Sequence, residues 1–264
     1  MSRIKVDLSG RVALITGGGS GIGRGFALQM ARNGAAVTVV DLNQETAQSV
    51  ADEIAAQGGQ SLAYQADVTQ AQAIEQAVTD TIGRFGQLDF LFANAGVLGP
   101  ADFMEITPKD WDVVLDVNIK GVAHTCRAAI PHMIERRQGR ILITASYNGV
   151  RAGAHVIPYR VSKAAVLMYT RCLALLLAQD NITVNAICPG VTLTPLQHAY
   201  AQETATKQGV TVEEYFAERA SRIPMQQFTE VEDLTGLAEF LVSDSARLIT
   251  GQAIAPDGGV LVSS

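Results

Sequence analysis

With 264 residues, 48% of them hydrophobic and 17% charged, the chain is long enough to bury a large core and apolar enough for strands covered on both faces. Its net charge of −6 builds no basic stripe for nucleic acid, and its first seven residues hold no apolar signal core, so a cytoplasmic protein without nucleic-acid or membrane partners is expected. Cys126, Cys172 and Cys188, odd in number and far apart, predict buried, reduced thiols rather than disulfides, and four histidines without HExxH grouping argue against a metal.

The first predicted strand, 11–16, runs into Gly17-Gly18-Gly19-Ser20-Gly21-Ile22-Gly23, and an amphipathic helix is predicted over 22–33. Glycines let such a turn tighten and bring backbone amides to a pyrophosphate at a helix N-terminus, so the segment reads as a dinucleotide cradle. The second strand, 35–41, closes on Asp41. A carboxylate there can accept hydrogen bonds from the ribose hydroxyls of NAD and would repel the 2′-phosphate of NADP. Its neighbours Leu42 and Asn43 are uncharged and the glycine turn holds no Lys or Arg, so NAD is the expected cofactor. A helix over 44–57 and a strand over 61–66 follow. Just past them, Asp67 and Val68 are placed to read an adenine edge, although an Asp here also serves as an ordinary turn initiator. Helix 71–85 and strand 88–93 lead to Asn94-Ala95-Gly96, whose small residues let the backbone pass close to a ribose.

One long helix is predicted over 108–136, with Asn118 inside it, and the basic cluster Arg136, Arg137 and Arg140 reads as a solvated helix end. Strand 140–146 ends at Ser146, and helix 159–179 carries Tyr159 and Lys163. The apolar stretch 173–177 in that helix is flanked by Arg171 and Asp180 and reads as too interrupted to span a bilayer. Strand 183–188 leads to Pro189-Gly190. The segment 192–227 then departs from the rhythm, polar and amphipathic, with Tyr200, Tyr215 and Phe216 on it and Phe228 beside it. Its place after the sixth strand puts it at the carboxyl edge of the sheet, where it predicts a pair of short helices covering a pocket. The alternation as a whole predicts an α/β fold: a Rossmann-type, doubly wound parallel sheet of about seven strands with helices on both faces, residues 1–264 forming one domain.

Tyr159 and Lys163 lie one helical turn apart and therefore on one face. A free phenol has a pKa of roughly 10 and is a poor acid–base catalyst near neutrality, and a lysine charge nearby is expected to pull it down. Ser146 can then hold an alcohol or carbonyl oxygen while Tyr159 exchanges its proton.

Taken together, Thr16-Gly17-x-x-x-Gly21-x-Gly23, Asp67-Val68, Asn94-Ala95-Gly96, Asn118, Ser146, Tyr159-x-x-x-Lys163, Pro189-Gly190 and Asp257-Gly258-Gly259 run the length of the chain and resemble the short-chain dehydrogenase/reductase family. Ala93 departs from the pattern, since many members carry an asparagine there. The resemblance implies that Tyr159 is the general acid/base, that Lys163 lowers its pKa and binds the nicotinamide ribose, and that Ser146 positions the reacting oxygen. It also implies that Asn118 anchors a water in a proton relay. Pro189, Gly190 and Thr192 or Thr194 would hold the nicotinamide carboxamide and pyrophosphate. A homotetramer or homodimer is implied by analogy. Between the catalytic Ser and Tyr, Tyr147, Asn148, Arg151 and His155 are the substrate-cleft candidates, with Arg151 open to pairing with an anionic substituent. Their polarity favours polyols, sugars or small cyclic alcohols over lipids. The alternatives are an NADP-dependent ketone or 3-oxoacyl reductase, against which Asp41 argues, and a non-catalytic cofactor sensor, against which the retained Tyr and Lys argue.

Overall fold

The computed structural model describes residues 6–263; residues 1–5, which include most of the stretch read for a signal core, lie outside it. Strands form where the sequence places them, within two residues at either end: β1 (Val12–Thr16), β2 (Ala36–Asp41), β3 (Ser61–Gln65), β4 (Phe90–Ala93), β5 (Gly139–Thr144) and β6 (Ile182–Ile187). A short β7 (Ala253–Ile254) completes a seven-stranded sheet ordered β3-β2-β1-β4-β5-β6-β7, every pair parallel.

Both faces of that sheet are covered, which is why the central strands read as unbroken apolar runs. Successive side chains point to opposite faces. Leu14, Leu91, Ile141 and Ile143 therefore enter one core with Val166 and Leu177, while Ile15, Phe92 and Leu142 enter the other with Phe26 and Leu241. Burial of each such side chain contributes about 1.5–3 kcal/mol. Phe26 and Phe92 add a tilted ring pair with centroids 5.1 Å apart.

The first face is covered by α3 (Ala71–Phe85), α5 (Val122–Arg136) and α6 (Ile157–Leu177), the second by α1 (Gly21–Arg32), α2 (Gln44–Ala56) and α9 (Val231–Val242). The sequence reading did not single out α9, although Glu230 and Asp233 form a capping box at its start. The long helix expected over 108–136 is not uniform. It consists of α4 (Pro108–Leu115), a π turn (Asp116–Gly121) and α5, so Asn118 sits in a widened turn. Such insertions shift backbone hydrogen bonds from their α register and recur at functional sites.

Three further expectations need correction. The arginine cluster is only partly a solvated end: Arg137 is exposed, but Arg136 pairs with buried Asp89 at 3.2 Å, and Arg140 is itself buried in β5. Cys126 and Cys188 are buried, but Cys172 is exposed on α6. Finally, α6 runs on through Arg171, and over Ile157–Asp180 it has the length and apolarity of a membrane span, with 44% of the window buried. Its buried face, from Ser162 through Val166 and Leu173 to Leu177, packs on the sheet as a core helix does.

Candidate active site

The strand order reverses between β1 and β4, and at the carboxyl ends of the strands a cleft of about 400 Å³ opens. Gly17, Ser20, Gly21, Ile22 and Gly23 line it after β1, Asp41 and Leu42 at the end of β2, and Asp67 and Val68 after β3. Asn94, Ala95 and Gly96 follow β4, Ser146 follows β5, and Pro189, Gly190, Thr192 and Thr194 follow β6; Tyr159 and Lys163 close the wall from α6. Segments far apart in sequence thus meet in one crevice.

The glycine turn is held by close contacts that leave no room for side chains. Gly17 has φ of +63°, and a Cβ there would lie 3.0 Å from the Ala95 Cα, while a Cβ at Gly23 would run into the Gly17 carbonyl. Asn94 pins the turn to its neighbours: its Nδ2 donates to the Thr16 carbonyl (3.1 Å) and the Gly17 carbonyl (3.2 Å), and its Oδ1 accepts from the Thr144 hydroxyl (3.0 Å). Ala93, the departure from the family pattern, is simply buried in β4 opposite Ile143.

Helix α1 has no acidic residue in its first turn, and the Ser20 side chain makes no cap hydrogen bond, so the helix N-terminus meets the cleft with positive partial charge. Asp41 accepts from the Gly19 amide (2.9 Å) and the Asn43 amide (3.1 Å) with separate oxygens, each keeping lone-pair capacity toward the cleft. The uncapped amides, bare backbone turn and terminal carboxylate fit a dinucleotide. Asp67 does initiate a turn, its Oδ1 accepting from the Thr69 amide (2.9 Å), and it lines the cleft as well. Thr194 caps α7 (Pro195–Gln208) and faces Gly21, whereas the Thr192 hydroxyl turns back toward the Gly190 carbonyl at 3.4 Å.

Ser146 is buried at the end of β5, where its Oγ accepts from the Asn148 amide (3.2 Å). Tyr159 and Lys163 stand one turn apart near the start of α6, as the spacing requires. The Lys163 ammonium donates to the Thr144 carbonyl (2.7 Å) and lies 5.5 Å from the centre of the Tyr159 ring. Asn118 lies behind the cleft: its Nδ2 donates to the Val97 carbonyl (2.9 Å) and the Ser162 hydroxyl (3.0 Å), and its Oδ1 accepts from the Val97 amide (2.8 Å). Ser162 in turn donates to the Tyr159 carbonyl (2.7 Å), so this chain of bonds fixes the turn that carries the phenol.

The chain is similar to known proteins over nearly its whole length. Residues 17–261 match the family model described as enoyl-(acyl carrier protein) reductase. Oxidoreductase UcpA of Salmonella typhimurium is 36% identical over 253 residues, covering 96% of this chain and 95% of that protein. Among solved structures, NAD+-bound xylitol dehydrogenase is 31% identical with a TM-score of 0.91, covering 95% of this chain and 99% of the other. An actinorhodin polyketide ketoreductase with NADPH is 30% identical with a TM-score of 0.92, covering 96% and 98%.

This chain belongs to the short-chain dehydrogenase/reductase family.

It is therefore an oxidoreductase of the kind that acts on CH–OH groups with a nicotinamide cofactor, and both NAD and NADP users stand among its relatives. One electrostatic expectation fails in this member of the family. Burial pushes the Tyr159 phenol up to about 12, against a smaller downward pull from the Ser146 hydroxyl. Burial pulls Lys163 itself down to about 8. Desolvation outweighs the mutual effect of the two groups, a balance that side-chain spacing cannot reveal.

The substrate candidates are dispersed. Asn148 borders Ser146, but Arg151 and His155 do not line the cleft: Arg151 donates to the Val260 carbonyl (3.2 Å), and His155 is exposed. The 192–227 segment does form two helices, α7 and α8 (Val212–Ser221), which share a small core of Ala201, Ala205 and Tyr215. Phe216 joins them edge-on to His198 (5.2 Å) and Phe228 (5.7 Å). Lys207 of α7 pairs with Glu105 at 2.6 Å, tying the helices to the stretch after β4. The sequence reading missed Gln197, which lines the cleft with a buried, unpartnered Nε2, and Thr144, whose carbonyl holds Lys163. Only the cap at Thr194 could have pointed to the first, and nothing in the sequence pointed to the second.

Proposed function

We propose that this protein transfers hydride between NAD(H) and a secondary alcohol or its ketone. The observation that carries this reading is the convergence of Ser146, Tyr159 and Lys163 on one wall of a cleft whose other end is the glycine turn and Asp41. When bound, the cofactor supplies the hydride acceptor or donor. Ser146 holds the reacting oxygen, and Tyr159 takes or returns its proton. Lys163, with a pKa of about 8, is poised to pass a proton onward near neutrality. Both amide protons of Asn118 are committed to Val97 and Ser162, so it anchors a relay water through an oxygen. The glycine turn, Ser20, Asp41, Leu42, Asp67, Val68, Asn94, Ala95, Gly96, Lys163 and the 189–194 stretch hold the cofactor, and α7 and α8 cover the substrate. The polar surroundings of Ser146, with Tyr147 and Asn148 beside it, and the likeness to a xylitol dehydrogenase favour a polyol, sugar or small cyclic alcohol. Three free thiols suit a reducing, cytoplasmic setting.

The deciding experiment follows nicotinamide absorbance as purified protein reduces NAD+ across polyols, aldoses and cyclic secondary alcohols. A clear hit supports the reading; inactivity throughout, with NADH binding intact, shifts weight to a substrate outside the panel or to a cofactor sensor.

Cofactor choice rests on Asp41. Among the described residues Lys163 is the only basic side chain lining the cleft, so none of those lining it beside Asp41 neutralises a 2′-phosphate. Like charges placed together cost several kcal/mol, so NADPH should bind about 100-fold more weakly than NADH in competition titrations. Tighter NADPH binding would move the assignment to an NADP-dependent reductase.

An oligomer is supported by α6, whose outer face presents Val161 (46% exposed), Met168 (56%) and Leu175 (83%) at seven-residue spacing. Light scattering should give a homodimer or homotetramer of the 28.0 kDa chain. Leu175→Glu should shift it toward monomer; an unchanged mass would place the contact elsewhere.

A further inference from the structure

Beside the segment that follows Ser146 lies a guanidinium that forms no ion pair with a carboxylate among the described residues. Arg219 reaches from α8 to the segment that follows Ser146. Its Nη2 donates to the Tyr147 hydroxyl (3.3 Å) and its Nη1 to the Tyr215 hydroxyl (3.2 Å), with the guanidinium 5.5 Å from the centre of the Tyr215 ring. Its Nε is buried and has no partner. Glu218, the acid beside it in sequence, pairs with Arg222 instead, and among the described residues no carboxylate forms an ion pair with Arg219. Burial pulls Arg219 down, but Tyr147, Tyr215 and Tyr200 outweigh it and hold the group charged. A guanidinium removed from water without a counter-charge is costly, and phenols offset only part of that cost.

The surroundings point the same way. Tyr147 is the residue after Ser146 and lies within electrostatic reach of Tyr159. Asn148, next along, keeps a buried Oδ1 with no partner. Arg160 adds a second positive charge in this neighbourhood, its Nε and Nη1 spent on the carbonyls of His155 and Arg151. Arg151, which the sequence offered for an anionic substituent, is held by the Val260 carbonyl.

We propose that Arg219, held beside the cleft by Tyr147, recognises an anion there, and that the substrate is a secondary alcohol carrying a carboxylate. A planar carboxylate suits the guanidinium fork and its free Nε–H, and a further hydroxyl of the substrate donates to Asn148 Oδ1. The proposal rests on the dehydrogenase reading above. A bound NAD+ would take the carbinol hydride, Tyr159 as its phenolate would take the hydroxyl proton, and the hydroxy acid would become a keto acid with its carboxylate unchanged.

The test uses matched pairs: 2-, 3- and 4-hydroxy acids and aldonates against their amides as substrates, and 3-hydroxy-3-methylbutyrate against its amide as probes. These tertiary alcohols have no carbinol hydrogen to lose, so they report binding alone. With NADH present, the carboxylate probe should raise Tm and its amide should not. Arg219→Met should cut the acid-over-amide ratio of kcat/KM by about 100-fold, the usual scale for losing one partner of a buried charge pair. Arg219→Lys keeps the charge without the fork and should lose about tenfold. A purely structural Arg219 would weaken acid and amide alike. Equal Tm shifts for acid and amide, or an unchanged ratio in Arg219→Met, would overturn the proposal while leaving dehydrogenase activity standing. Carboxylate-selective binding with no turnover of any alcohol would overturn the dehydrogenase reading and leave the anion site in place.

Discussion

Replacing Tyr159 with Phe should lower kcat by about 10³-fold, within the range that a positioned general acid/base contributes. The NADH dissociation constant should stay within about threefold, because one hydroxyl among many contacts contributes only about 1 kcal/mol. The two readouts separate chemistry from binding, and near-normal turnover in Tyr159→Phe would remove the proposed mechanism. The variant is well suited to the test, since Phe fills the same space and the loss is confined to the phenol oxygen beside Ser146. The support of the turn is untouched as well. Asn118 and Ser162 hold the Tyr159 main chain, not its ring, so the position of residue 159 should survive the substitution.

How much of this was legible in the sequence varies with the kind of physics involved. Local rules placed the strand ends, because runs such as Val12–Thr16 and Phe90–Ala93 suit only positions covered on both faces. The glycine turn was equally plain, since the bare backbone of Gly17 and Gly23 answers a steric demand visible in residue type alone. The π turn at Asn118 was not visible. Its residues suit an α-helix, and only the backbone over Asp116–Gly121 reveals the widened geometry, where Asn118 bonds to Val97 and Ser162. Arg140 looked solvated by its neighbours and proved buried, because strand β5 begins at Gly139 and carries it inside. Arg219 carried no motif at all. Its meaning comes from Tyr147, 72 positions away, which packing brings within 3.3 Å. Side-chain chemistry within one turn of helix can be read from spacing, whereas the environment that sets a pKa is assembled from several distant segments.

Lys163→Met is expected to make the protein more stable and inactive at once. Lys163 is 3% exposed, and burial holds it at about 8 against an ordinary 10.5. A lysine depressed in the folded state is penalised wherever it remains charged. The penalty is therefore complete below pH 8 and is relieved as pH rises toward 10.5, where the unfolded chain binds the extra proton. At about 1.4 kcal/mol per pKa unit this is about 3 kcal/mol. Methionine removes the penalty but leaves the Thr144 carbonyl without its donor, a loss of about 1 kcal/mol. The net gain at pH 7 should be about 2 kcal/mol, read from urea midpoints. Comparing the two proteins at each pH cancels the opposing contributions of Cys126 and Tyr159, whose pKa values burial raises, but not that of Cys188, which Lys163 pulls down. The advantage of the variant should shrink between pH 8 and 10.5 and reverse above it. A variant less stable than the parent at pH 7, or an advantage independent of pH, would mean that Lys163 is not held charged at a cost. If the trend holds, the fold maintains a destabilising cation beside Tyr159, as a position kept for chemistry rather than for stability would.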